Sequence, residues 1–327
     1  MWVLFAAHVS AAAAGDRVRL IVAGHDKVIY LPAKLAERLG YFAKEDLEVE
    51  LVNERSGVDA QNQMLAGAVQ GVVGFYDHCI ELQAKGKAAQ SIVQLTRTPG
   101  EVQLVSTRYP EIKSMADLRR KALGVTGLGS STDFLTHYLM TRAGAKPSEF
   151  TTVPVGAGAT FSAALQTDMI QAGMTTDPTA TRLLRSNQAR VLVDLRSVET
   201  TREALGGLYP GAAVYLPTDW VQAHKGVAQK LANAFVRSLR YISEHSAAEI
   251  AERMPPEFYN GDREMYVAIL AQNKSMFTVD GQMFADGPAT VLTVLSSHSR
   301  SFRGRTVDLS RTFTNEFVQR AAVELGK

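Results

Sequence analysis

Residues 60–77, AQNQMLAGAVQGVVGFYD, and residues 160–177, TFSAALQTDMIQAGMTTD, follow the same order of residue types. Each runs from a small-residue loop through a short apolar helix and a tight turn into a buried strand, then into a polar loop ending in aspartate. Leu65 falls on Leu165, Val69 on Met169, Val72 on Ala172 and Asp77 on Asp177. Few residues are identical, so the repeat is one of pattern. A repeated helix–strand unit points to two similar α/β lobes, and the cleft between such lobes is a favoured place for a ligand.

The flanking sequence extends the pattern. Residues 17–23 (RVRLIVA) alternate and are β-branched, which predicts a strand. Pro32 suits the first turn of a helix carrying Leu35, Ala36 and Leu39, and Gly40 stops it. A strand over 47–52 and a helix opened by Ser56-Gly57 and closed by Gly67 lead into the strand over 70–75. Strand–helix alternation predicts a mostly parallel sheet flanked by helices. After strands at 91–95 and 103–106 the order restarts: a strand over 122–126, the loop GLGSST over 127–132, a helix carrying Phe134, Leu135, Tyr138 and Leu139, and a strand over 151–155. A strand over 190–194 follows the repeated unit. Beyond Gly211 come a strand over 212–216 and helical patterns at 227–244, 263–274 and 315–325. The expected domains are 16–106 plus 212–327 for the first lobe and 107–211 for the second. Two crossovers, near Ser106 and Gly211, would form a hinge.

Composition narrows the function classes. Apolar residues make up 46% of the 327, which suits a packed globular chain. Thirty-five basic and 33 acidic residues leave a net charge of +2, so nothing calls for a nucleic-acid partner. One cysteine, Cys79, excludes an intramolecular disulfide and a multi-cysteine zinc site. Residues 1–15 read as the remnant of a signal peptide: a short apolar run, then an alanine stretch, with the basic start missing. The expectation is a soluble, exported, monomeric protein of a Gram-negative periplasm. No cysteine follows the run to carry a lipid anchor.

In open parallel sheets ligands sit beyond the carboxyl ends of the strands. The candidate ligand contacts are therefore His25 and Asp26, Ser56 and Gly57, Tyr76, Ser130, Ser131 and Thr132, Thr160, and Thr176. Small hydroxyl residues at a helix start can bind sulfonate, phosphate or carboxylate through N–H groups, hydroxyls and the helix dipole. The same groups also serve as simple N-caps. Lys27 and His78 could add positive charge, and Tyr76 an aromatic wall. Asp77 and Asp177 read as structural. Metal-ligand spacing, a nucleophile elbow, a Walker loop and a dinucleotide fingerprint are all missing, so no cofactor, metal or catalytic residue is assigned.

Three segments carry a resemblance. LGYFAKEDLEVEL (39–51) resembles the "lGyFkkeGLdVel" signature of periplasmic solute-binding proteins of nitrate/sulfonate/taurine-type ABC importers, with Asp46 where glycine is usual. LAGAVQGVVG (65–74) resembles that family's "L.sGevDfg" segment, with Gln70 for the acidic residue. IKSMADLRRKALGV (112–125) resembles "I.sl.DLkGKkigv", with Arg120 for glycine. The resemblance implies a two-lobed, type II periplasmic-binding fold. It also implies a small ligand held in the cleft for a membrane permease and its ATPase. The hydroxyl-rich helix start and Tyr76 make the expected ligand a small organic anion, a sulfonate or carboxylate, aromatic ones included. Relatives include pyrimidine synthases and a cysteine-dependent desulfinase, for which Cys79 would be the candidate nucleophile.

Overall fold

The structure, a computed structural model, describes residues 15–259 and 261–326. Nearly all of the signal segment expected over residues 1–15 lies outside the described residues. The chain opens with β1 (Asp16–Val22), α1 (Leu31–Arg38), β2 (Leu47–Asn53), α2 (Gly57–Leu65), β3 (Gly71–Phe75), α3 (Asp77–Ala84) and β4 (Ala89–Gln94). It continues through β5 (Glu101–Ser106), β6 (Ala122–Val125), α4 (Ser131–Arg142), β7 (Thr151–Pro154), α5 (Ala159–Gln166), β8 (Ala172–Thr176), α6 (Thr179–Arg185), β9 (Ala189–Asp194) and α7 (Val198–Leu205). It closes with β10 (Ala212–Pro217), α8 (Thr218–Ala223), α9 (Lys225–Glu244), α10 (Ala247–Arg253), α11 (Arg263–Asn273), α12 (Gly287–Ser296) and α13 (Glu316–Glu324).

Two five-stranded sheets have the same plan: β2-β1-β3-β10-β4 and β7-β6-β8-β5-β9. The repeat places α2 and β3 on α5 and β8. In the first sheet β10 alone runs antiparallel to its neighbours, and β5 does so in the second. Four of five strands in each therefore share one direction, and the odd strand is the one that enters by a crossover. This corrects the first boundary. Glu101–Ser106 pairs with β8 and β9, so the chain leaves the first lobe between Gln94 and Glu101, not near Ser106. The expectation failed because GEVQLVS continues the apolar rhythm of the preceding strand.

Strands β3, β5 and β8, interior to their sheets, are buried along their whole length, as sheets covered by helices on both faces require. Each fully buried Val, Leu or Ile there contributes about 1.5–3 kcal/mol relative to exposure. The repeat is looser in its packing than in its order: Leu65 is 45% exposed where Leu165 is buried, and Val69 is buried where Met169 is 60% exposed. The two departures from the glycine pattern fall on left-handed backbone, Asp46 at φ 51° and Arg120 at φ 63°. Helix α12 packs on α3 of the first lobe and on α4 of the second, and so spans the cleft from behind.

Candidate functional site

The cleft is built where helix starts from both lobes converge. Ser56, extended at φ −139°, caps α2; its hydroxyl accepts from the Asp59 N–H at 3.3 Å and meets the Asp59 carboxylate at 2.6 Å. Ser130 stands at the N-cap position of α4 opposite, with no capping bond from its hydroxyl, and follows Gly129, whose φ of +84° favours glycine. The Ser130 hydroxyl accepts from the Val58 N–H at 3.3 Å, a hydrogen bond from one lobe to the other. A second crosses at the inner edge, from the Val28 N–H to the Asp177 carbonyl at 3.0 Å. The lobes are thus closed on each other, with the N-termini of α2, α3 and α4 around one space. Their dipoles point positive ends into it, although the N–H groups of Val58, Asp59 and Gly129 are already bonded.

The side chains beneath have the opposite character. Asp77, at the start of α3, is fully buried and accepts from the Tyr209 hydroxyl at 3.0 Å; its other oxygen has no partner. Burial pushes its carboxyl up to about 6, against the pull of His78. Glu101, at the start of β5 in the second lobe, accepts from the Ser131 hydroxyl at 2.8 Å, and its second oxygen is likewise unpartnered. Burial raises it to about 8; the Ser131 hydrogen bond opposes that rise, Asp77 adds to it, and Lys27 opposes it. Lys27 is buried, donates to the Ala23 carbonyl at 2.6 Å, and is lowered by that burial. His78 is fully buried with neither ring nitrogen hydrogen-bonded; its Nδ1 lies 3.9 Å from Glu81 Oε2, and its ring centroid 6.1 Å from Phe134 of the other lobe and 6.3 Å from Tyr215. Gly57 is glycine for a local reason: a Cβ there would lie 2.7 Å from the His78 Nε2.

The expected contacts therefore divide. Ser56, Gly57, Ser130 and Ser131 come together at the cleft, and Thr176 stands opposite Glu101 in the β5–β8 pair. Thr132 is turned inward, its hydroxyl bonded to the N–H and hydroxyl of Thr126 at 3.0 and 2.9 Å. Thr160 is exposed at the rim and donates to the Ala157 carbonyl. His25 packs on Phe258 at 5.6 Å, and Asp26 is half-buried beside it. Tyr76 is not a cleft wall: it is buried in the first lobe, hydrogen-bonded to the Thr312 hydroxyl and edge-on to Phe313. The cause is that Asp77 opens a helix, α3, where a loop was expected, and this turns Tyr76 toward the C-terminal segment. Asp177 is structural as expected, capping the Thr181 N–H and holding Arg196 and Asn273 at 3.2 and 2.8 Å. Glu101 and Tyr209 were missed. An acidic residue opening an otherwise apolar strand, PGEVQLV, was the available signal for the first. Among the described residues no His, Cys, Asp and Glu cluster could hold a metal ion.

The fold is shared with known proteins. A family model described as NMT1/THI5 like matches residues 30–248. A Bordetella bronchiseptica RB50 protein of known structure is 33% identical, with a TM-score of 0.91 over 94% of this chain and 98% of its own. The periplasmic nitrate-binding protein of Synechocystis PCC 6803 superposes with a TM-score of 0.74 at 14% identity, over 95% of this chain and 89% of its own. The alkanesulfonate-binding protein of Xanthomonas axonopodis pv. citri, bound to MOPS, gives 0.70 at 16% identity over 95% and 99%. A Legionella pneumophila 4-amino-5-hydroxymethyl-2-methylpyrimidine phosphate synthase is 25% identical over 159 residues, 49% of each chain. The match thus spans about half the length of that curated relative.

Proposed function

The chain belongs to the NMT1/THI5-like family, and from that premise we propose that it is the solute-binding component of an ABC importer, capturing a small organic acid between its lobes and presenting it to a membrane permease and its ATPase. The observation that carries the reading is the convergence of α2, α3 and α4 starts from two lobes, bridged by Val58 and Ser130. A ligand held by both lobes stabilises only the closed state, and this is how binding becomes a signal the permease can read. A sulfonate or carboxylate would sit at the helix starts near Gly57 and Ser131. The fold shared with nitrate- and alkanesulfonate-binding proteins supports this reading. The reading includes export and a monomeric working form; among the described residues no helix is long and apolar enough to cross a membrane.

The test is a thermal-shift and calorimetric panel of alkyl and aryl sulfonates, aromatic carboxylates, nitrate, bicarbonate and pyrimidines. One chemical class should raise stability, by about 2.7 kcal/mol at a hundred times its dissociation constant. Ser131→Asp should abolish that binding by placing like charge at the acid group. Undiminished affinity in the variant overturns the site.

The synthase name of the Legionella relative gives an enzyme reading something to stand on. Here Cys79 opposes it as the nucleophile: the thiol is fully buried, and burial pushes it well above its ordinary range. Product formation lost in Cys79→Ser would reinstate that reading.

A further inference from the structure

A second cavity lies at the far pole of the first lobe. Strand β4 runs parallel to β3, since β10 is antiparallel to both. β3 ends at Phe75, beside the cleft. The start of β4 and the end of β10 therefore lie at the other end of the sheet, roughly 15–20 Å away at about 3.3 Å per residue. There the chain encloses a cavity of about 540 Å³. Gly86, at φ +76°, ends α3 in a left-handed turn and delivers Lys87 to the rim. Residues 310–314 supply the opposite wall. They are fixed by the sheet edge: the Ser91 N–H donates to the Thr312 carbonyl at 3.0 Å, and the Thr314 N–H to the Ser91 carbonyl at 2.9 Å.

The lining is rich in donors and holds no carboxylate. Gln90 is only 7% exposed, and its Nε2 is buried without a hydrogen-bond partner. The Thr218 hydroxyl, where β10 passes into α8, is buried and unpartnered in the same way. Lys87 and Arg311 line the same cavity, are exposed, and take part in no ion pair among the described residues. The Thr314 hydroxyl accepts from the Glu316 N–H at 3.1 Å and keeps its own proton to donate. The Ser310 hydroxyl is already spent on the Asp308 carboxylate, which also takes the Ser310 N–H. Phe313 and Ala88 add apolar surface. A buried donor without an acceptor is unfavourable. Two such donors lining one cavity with two free cations call for a ligand that bears several acceptor oxygens.

We propose that this cavity is a second binding site, separate from the cleft, and that it takes a small organic phosphate monoester. A dianion matches Lys87 and Arg311, one charge each, and its three terminal oxygens can accept from Gln90, Thr218 and Thr314. A carboxylate or sulfonate brings only one charge to the two cations. The volume is that of a small-molecule pocket and exceeds what a bare phosphate fills, so the Phe313 side takes the apolar body of the ester. The assignment stands apart from the reading of the cleft, since it needs neither lobe closure nor a permease.

Calorimetry on the whole chain with phenyl phosphate tests this, at about pH 7.5, where a phosphate monoester is mostly dianionic. A single molecule should bind per chain, at least tenfold tighter than inorganic phosphate. Lys87→Glu and Arg311→Glu, both surface changes, should each cut affinity at least tenfold without moving the unfolding temperature. Gln90→Leu should weaken binding as much yet unfold at or above the wild-type temperature, because it removes an unpartnered buried donor along with the ligand contact. Ser131→Asp, the change aimed at the cleft, should leave phenyl phosphate binding unaltered. Absence of binding at millimolar phenyl phosphate overturns the proposal, as does undiminished affinity in both charge reversals. Loss of binding in Ser131→Asp overturns it too, by moving the ligand to the cleft. Inorganic phosphate binding as tightly as the ester overturns the monoester assignment.

Discussion

At the scale of single residues, Gly57 shows how closely the cleft is fitted. Its missing side chain is what lets the His78 imidazole stand against the start of α2. Gly57→Ala is expected to push that ring aside, lower stability by about 1–3 kcal/mol as overpacked sites do, and weaken ligand binding at least tenfold. Thermal unfolding and calorimetry read both effects, and a variant with wild-type affinity would remove His78 from the site. Much of this was legible in the sequence. Ser56-Gly57 and Ser130-Ser131 announced helix starts by residue type alone, because capping chemistry is local. Glu101 and Tyr209 were not legible as a pair with Ser131 and Asp77, because their meeting depends on which sheet β5 joins, and that is a long-range choice.

At the scale of elements, the sequence signals were strongest where backbone geometry dictates residue type. The strands and helices of the repeated unit lie within a residue or two of their expected bounds. Helices α3, α6, α7, α8 and α10 were missed, since eight residues or fewer give too little periodicity unless flanking signals such as Pro32 and Gly40 mark the ends. The ten-residue α12 was missed because Asp286-Gly287-Pro288 reads as a turn. The turns repay a closer look. Asp46 and Arg120 stand where the family pattern has glycine, and both adopt the left-handed backbone that glycine tolerates. A left-handed L-residue is strained by about 1–2 kcal/mol, partly offset by the entropy glycine loses on folding. Arg120→Gly should therefore stabilise the protein by about 1 kcal/mol without altering affinity, as denaturant unfolding would show. A destabilised variant would mean that the Arg120 side chain makes a contact worth more than the strain.

At the scale of the whole molecule, closure depends on contacts behind the cleft as well as within it. His298, just past α12, stacks on His137 of α4 at 5.2 Å and 14°, and approaches Phe134 at 5.8 Å. Burial lowers both imidazoles, His298 to about 4 with His137 adding to the effect. Each is neutral in the native state and would charge more easily when exposed. The stability this gives is present above the ordinary histidine value of about 6.5 and is lost as pH falls toward 4. His298→Phe keeps the ring and removes the proton site. Its melting temperature should fall less steeply between pH 6.5 and 4 than that of wild type, and parallel curves would show that the stacked pair bears no such load.

The exchanged strands have a consequence in time. β10 sits between β3 and β4, so the first sheet stays split into two open edges until residue 217 has been made. The second sheet is complete by residue 194, drawn wholly from contiguous chain. A polypeptide emerging N-terminus first would finish the lobe it began second, while β1 to β4 wait with unpaired edges, the condition in which strands are most exposed to wrong partners. The strand order therefore predicts that synthesis and folding run opposite ways in this chain, with the lobe that carries Asp77 and His78 expected to form later.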